Sequence, residues 1–591
     1  MRFLFILFLL VSTKILAQGD IIAKNYFKKG DYEKALIEYK KLYANSPSNM
    51  TYIKQIVNSY EQLEQYDEAE KFLKALIARV QYPAFYVELG HNYQLKNDLE
   101  NAEINYQKAL SSIDDKVTNV FTVARGFQDH SLLNEAAEAY EKAMRLKPDL
   151  NFNVQLAQIY GEQGDIEKMF DSYMNYALIN PLASDDVKRA INDFISEDAY
   201  NENNILLRKI LLSRLQKEPN VIWNSFLSWL FIQQKDFKKA FVQEKAIFKR
   251  EQKSLDRILE LAAIAANEND TDVAKTIYNY VIDTAQDHEI QLKAHYDLLQ
   301  LEIKSSSKSN YSTYNAAYLN LLDTFGRNAE TLELQLSYAH FLAFYLGETN
   351  EAISFLEESL KQPLSRTEKA RVKLKLGDVL VLKEQFNKAL IYYTQIQRNL
   401  KNSTISQEAR FKVAKTSYYK GDFKWAESQL KILKASTSQL IANDALALKL
   451  LISDNKYEDS LQTALKLYAK ADLLSFQNRN EEAITLLDKI LDEHKTEPIV
   501  AQALYKQAKL FEIELEFKKA AVNYEAIISN FRDGVLVDDA YFYLAEIYEK
   551  QLNKPEQAKM LYEKIIFYHA DSIFFVDARK RYRTLRGDAI N

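Results

Sequence analysis

Apolar residues in this chain return at helical spacing, in short blocks that repeat. Within residues 83–115, Phe85, Leu89 and Tyr93 mark one face of a first helix, and Leu99, Ala102, Tyr106 and Ala109 mark one face of a second. Recurrence at intervals of three and four predicts an amphipathic helix, because such positions share a face. Asp98 stands where the second helix begins, where a short carboxylate accepts from first-turn N–H groups. The block then recurs along the chain. Ala35, Ala69, Ala102 and Ala136 are 34, 33 and 34 residues apart, and Met169 follows 33 later. Each sits in a related phrase, from GDYEKALIEY at 30–39 to GDIEKMFDSY at 164–173. A period of this length predicts stacked supersecondary units rather than one globular core.

Beyond residue 181 the pattern loosens but continues. Ala240, Ala274, Ala352, Ala389, Ala426, Ala483, Ala520 and Ala558 hold the small-residue place. A degenerate pair is expected at about 184–216, and an untypical one at 288–325 with a Ser/Lys linker from Lys304 to Asn310. Later steps are 37 residues (352, 389, 426), then 57, then 37 and 38. The long step predicts an additional helix around 438–453, then one long helix through Leu461 and Leu474. Two helices cannot bury their apolar faces alone, so each pair must lean on the next. The expected fold is all-α, an α-solenoid of about 13–14 antiparallel helix pairs. It divides into a front array at 18–181, divergent repeats at 182–329, and a rear array at 330–591 closed by a basic cap helix.

Composition narrows the chemistry. Glycine and proline number only 12 and 8 in 591 residues, against usual shares of roughly 7% and 5%; a sheet-rich chain needs more turns. With no cysteine, disulfides, thiolate metal sites, a cysteine nucleophile and a lipidated N-terminal cysteine are excluded. Charge is plentiful but mixed, 77 basic against 82 acidic residues, unlike the clustered basic excess of a nucleic-acid binder. No phosphate-cradling glycine loop, HExxH or GxSxG occurs. His288 and His295 lie seven apart on one helix face, about 10.5 Å at 1.5 Å per residue; two ligands so spaced do not share a zinc. No catalytic, cofactor or metal residue is expected, and the chain reads as a non-enzyme. Most aromatics fall where helices pack, among them Tyr39, Tyr93, Tyr106, Tyr140, Tyr160, Tyr173, Tyr393, Tyr524 and Tyr562. The basic run Arg579, Lys580, Arg581, Arg583 and Arg586 reads as the polar outer face of the cap helix.

The N-terminus has the form of an export signal. Met1-Arg2 precedes an apolar run from Phe3 to Val11, and Ala17 stands before Gln18. That run falls well short of the roughly 20 apolar residues that span a bilayer. Cleavage after Ala17 is expected, leaving a periplasmic protein with no membrane span; the alternative is an uncleaved anchor.

The repeating phrase resembles the tetratricopeptide repeat, with a small residue at place eight (Gly90), Tyr at eleven (Tyr93), Ala at twenty (Ala102) and an aromatic at twenty-four (Tyr106). Pro47, Pro148 and Pro181 close units as that family's prolines do. The C-terminal block, from YEAIISNF at 524–531 to RKRYRTLRGD at 579–588, is similar to repeats of exported bacterial envelope proteins. These include the Tol–Pal coordinator, the lipoprotein of the outer-membrane assembly machine and, more nearly, repeat proteins of Bacteroidetes with an Arg-rich RGD tail. The inter-unit prolines of the longer repeats are mostly missing here, with Asp533-Gly534 and Ala570-Asp571 in their place.

The resemblance implies a superhelix whose first helices line a concave surface, with places 2, 5, 9, 12 and 13 facing inward. Those places offer Lys54, Asn58, His91, Gln94, Arg125, Gln128 and Gln158, a polar and partly basic strip for a partner. Lys54 and Asn58 match the first two members of the family's carboxylate clamp, but Glu88, Thr118 and Thr122 stand at its other three places. A buried glutamate repels a carboxylate, so the clamp is not expected. The expected function is an exported scaffold holding a protein or peptide of the cell envelope. The alternative is glycan or nutrient capture on the same repeats.

Overall fold

The computed structural model describes residues 19–304, 308–433, 438–455 and 462–588. The expected signal at 1–17, its cleavage point after Ala17, part of the Ser/Lys linker and Leu461 lie outside the described residues. Among the described residues there is no strand, and the chain is an all-α solenoid of helix pairs packed in sequence. It divides into two compact units, Met1–Lys253 and Ser254–Asn591. That division falls inside the stretch 182–329 that the sequence marks as one divergent block.

The first unit stacks seven pairs. Helices at 19–28 and Tyr32–Asn45 are followed by Met50–Gln62 with Tyr66–Arg79, Ala84–Leu95 with Leu99–Asp115, Val120–Asp129 with Leu133–Leu146, and Asn153–Gln163 with Ile166–Ile179. The degenerate pair is a short helix Ser184–Ile191 and a long one Glu202–Lys217, and Val221–Gln233 with Phe237–Glu251 completes the unit. The second unit holds eight pairs, an additional helix Gln439–Asp454 and the cap helix Phe575–Arg586. Among the described residues the pairs number fifteen, against the expected 13–14, and the two atypical pairs expected at about 184–216 and 288–325 are both present.

Why the period is strict is visible at the crossings. All thirteen residues in the small-residue place, from Ala35 to Ala558, are at most 2% exposed. A Cβ on Gly90 would stand 2.4 Å from the Tyr106 ring and 3.1 Å from the Ala102 carbonyl; Gly377 stands in the same relation to Tyr393, at 2.3 Å. The ring lies flat on the glycine, and any side chain there would push the two helices apart. From Gly90 the ring reaches forward to Phe127 of the next pair, edge-on at 5.5 Å. The nine tyrosines expected to pack between helices are all buried. Asp98 caps its helix as expected, accepting from the Asn101 N–H at 3.2 Å.

The turns inside the pairs keep the same beat. Gly30, Glu64, Asn97, Ser131 and Gly164 have positive φ, with spacings of 34, 33, 34 and 33 that repeat those of the small residues. In each, the next residue's N–H closes back five positions, as from Asp98 to the Tyr93 carbonyl at 2.9 Å. That bond caps an otherwise unsatisfied carbonyl at the end of the first helix. So few glycines suffice because other residues take the left-handed position, Leu515 among them at φ 60°.

The second unit departs from simple stacking after the additional helix. Thr463–Phe476 packs directly on Thr404–Tyr419, and Leu473 joins the core of the preceding pairs. Its end reaches further back: Lys470 pairs with Glu384 at 2.9 Å, Gln477 donates to the Leu382 carbonyl at 3.0 Å, and Phe476 meets Phe344 edge-on at 5.4 Å. Here the chain covers its own first-helix face. The cap helix buries only Ala578, and its basic run is partly spent on intramolecular pairs, Arg581 with Glu549 and Arg586 with Asp588. His288 and His295 both stand edge-on to Phe325, at 6.2 and 6.1 Å.

Two outcomes are expected. Ala102→Trp overpacks a crossing and costs about 1–3 kcal/mol, with amide exchange accelerating first in residues 84–115; unchanged protection there would refute the packing role. Leu515→Gly removes left-handed strain of roughly 1–2 kcal/mol at an exposed position, so urea unfolding should show a gain of about 1 kcal/mol after the added glycine entropy. A loss would count against the strain.

Candidate partner-binding face

The seven strip residues sit on four consecutive first helices of the first unit, Met50–Gln62, Ala84–Leu95, Val120–Asp129 and Asn153–Gln163. They do not form a uniform surface. Gln94 and Gln128, both at place twelve, accept hydrogen bonds from the tyrosine at place twenty-four, Tyr106 at 2.7 Å and Tyr140 at 3.2 Å. These amides hold the two helices of a pair together. The second unit repeats the device with a carboxylate, Tyr524 to Glu512. Burial removes the phenolate's hydration, and a carboxylate partner adds repulsion, so both effects raise the pKa of such a tyrosine. Tyr548, bound to Glu525, is pushed up to about 12.

Lys54 and His91 belong to a partly buried ionic network. Lys54 Nζ lies 2.5 Å from Asp129 and 3.4 Å from Glu88. His130 Nε2 is 2.9 Å from the other Glu88 oxygen, and His91 Nδ1 is 3.2 Å from Glu61. The two imidazoles stack with centroids 3.8 Å apart. Glu88 is 2% exposed. Desolvation favours its neutral form, but His130 and Lys54 outweigh that and hold it below the usual carboxylate range. The same burial disfavours a charged His130, yet Glu88 with Glu61 behind it raises its pKa above the ordinary imidazole value. Lys54 is raised too, its desolvation overcome by Glu88 and Asp129.

Acidic groups thus stand among the residues of the strip. Glu61, Glu88, Asp129 and His130 complete it, and sequence reasoning left them out of the partner-binding set. Glu61 and Asp129 stand at places twelve and thirteen of their units, inside the inward set; selecting polar and basic members passed them over. Lys54 turns toward Glu88, which also accounts for the absent clamp, since that ammonium is already neutralised. Place nine supplies one polar residue per unit along this face. Arg125 and Gln158 are exposed, and Asn58 and His91 are half-buried.

The ionisation states fix a pH dependence. His130 contributes fully below its unfolded pKa of about 6.5, and loses that contribution as pH rises through its higher folded value. Glu88 contributes fully above about 4.3 and loses it as pH falls through its lower folded value. The network therefore stabilises most between about pH 4.3 and 6.5. His130→Gln should cost about 1–3 kcal/mol in that window, by leaving a buried carboxylate short of a partner. Thermal melting from acid to alkaline pH should show the deficit narrowing above neutrality; a deficit that widens would overturn the assignment.

With this geometry in place, comparison with known proteins adds the following. Residues 83–115 and 539–572 match models of the family described as Tetratricopeptide repeat. They coincide with the pairs Ala84–Asp115 and Val537–Tyr568. No curated protein matches the sequence. Among solved structures, the chain is similar to one in the structure of Naa15/Naa10 bound to HypK-THB, with 11% identity, 97% of this chain and 94% of that one covered, and a TM-score of 0.29. No helix among the described residues is long and apolar enough to cross a membrane. Each of the two compact units thus contains one segment that matches the tetratricopeptide repeat.

Proposed function

We propose that this chain is an exported, non-enzymatic scaffold that holds a protein of the cell envelope on the first-helix face of its first unit. One observation carries the reading: Asn58, His91, Arg125 and Gln158 stand at the same place of four successive units. They form a polar row, whose His91 also pairs with Glu61, along helices tied together by Lys54, Glu88, His130 and Asp129. Those contacts hold neighbouring helices in place, so specificity falls to the row itself and to the shape of the stacked helices. Binding spread over many such contacts needs little rearrangement of a stack held by its own crossings. Tetratricopeptide repeats suit this role because neighbouring units extend one continuous surface. Export rests on the Met1–Ala17 pattern, and the envelope location of the partner on the resemblance of the C-terminal repeats.

The test combines cross-linking in intact cells with capture from envelope extract. The wild-type chain should recover one defined protein, and the mature N-terminus should begin at Gln18. Arg125→Glu with Gln158→Glu should weaken that capture roughly tenfold, a loss of about 1.4 kcal/mol, without moving the melting curve, since both side chains are exposed. Stabilisation by an oligosaccharide alone, with no protein recovered, would defeat the scaffold reading.

A further inference from the structure

The second unit contains a cleft that its stacking does not require. The helix Gln439–Asp454 is apolar on two faces. Ala445, Leu448 and Ile452 are buried in the core of the unit, whereas Leu446 and Leu450 are half exposed. A surface helix of a stack normally presents a polar outer face. Across from it stand Pro498, Ala501 and the highly exposed Val535, so that Ala447, Leu450 and Leu451 face an apolar wall over a gap of about 860 Å³. That volume lies within the range of roughly 300–1,000 Å³ common to small-molecule sites.

The floor of the cleft is charged and unbalanced. Asp472 is held between Lys415 and Lys506, each ammonium 2.8 Å from a different carboxylate oxygen. Burial favours a neutral Asp472, but the two lysines prevail and keep it ionised. Two cations thus share one anion in the lining of the cleft. The remaining carboxylates of the lining, Asp444 and Asp454, are exposed, so water screens them. A bound anion beside Lys415 and Lys506 would give these two ammonium groups a second carboxylate to share.

We propose that this cleft binds an amphipathic monoanion, a straight hydrocarbon tail ending in a carboxylate, with the carboxylate at Lys415 and Lys506 and the tail between Leu450 and Val535. The site lies wholly in the second unit and does not depend on the partner-binding reading of the first. The apolar walls select the tail, and the excess cation selects the head.

Isothermal titration of the full chain with decanoate tests it, with decan-1-ol and acetate as the uncharged and tailless probes. Decanoate should saturate at one per chain, and each control should bind at least roughly tenfold more weakly, as expected when a charge-assisted hydrogen bond or the apolar contact is missing. Ala447→Trp places a large ring in the cleft from an exposed position, and should weaken decanoate roughly tenfold or more with the melting curve unchanged. Lys506→Gln leaves Asp472 paired with Lys415 and should bring decanoate down to the level of decan-1-ol. The proposal is overturned if decanoate fails to saturate, if decan-1-ol binds equally well, or if both variants bind decanoate like the wild type.

Discussion

Everything in this molecule depends on the crossing of two helices at a residue too small to hold them apart. Where Ala102 and Gly90 meet Tyr106, the ring fills the space the small residues leave and extends to Phe127 of the following pair. One contact thus closes a pair and joins it to its neighbour. Close packing of this kind transmits volume changes directly, which explains why all thirteen residues in that place are buried to within 2%. The turn is bound to the same beat: a left-handed residue five positions before each of the first five small residues reverses the chain so that the crossing falls in register.

Polar groups then do work that apolar packing cannot. A buried tyrosine brings a hydroxyl into the core, and the acceptor at place twelve supplies its partner, as Gln94 and Gln128 do. In the first unit, Lys54, Glu88, His130, Glu61, His91 and Asp129 link helices from three successive pairs. In the second, Lys415, Asp472 and Lys506 link three helices across the additional one. Such networks fix the offset between neighbours, because a shift of one residue would leave a buried charge alone. The two networks differ in one respect. The first gathers three carboxylates around Lys54, His91 and His130, whereas in the second two lysines share Asp472 beside an apolar cleft. The units also differ in what their first-helix faces meet, since Thr463–Phe476 folds back over its own unit.

Much of this was legible from the order of residues alone. The helical pairing, the small-residue places, the Asp98 cap, the buried tyrosines and the additional helix near 438–453 all follow from periodicity, because each is decided within one unit or between adjacent ones. The 57-residue step from Ala426 to Ala483 announced an insertion, but not that the next helix would turn back as far as Phe344. Likewise periodicity placed Lys54 and Gln94 on the first-helix face, while the groups that engage them, Glu88 and Tyr106, lie 34 and 12 residues away.

What the sequence by itself determined, then, is the repeating unit and its contact with the next, since a period of about 34 residues encodes both. Tertiary structure alone decided which polar groups neutralise one another, where the chain covers its own surface, and where it leaves a gap. Those outcomes depend on distances between side chains on different pairs, and on small rotations that accumulate along a stack. A pattern repeated unit by unit has no place to record such sums.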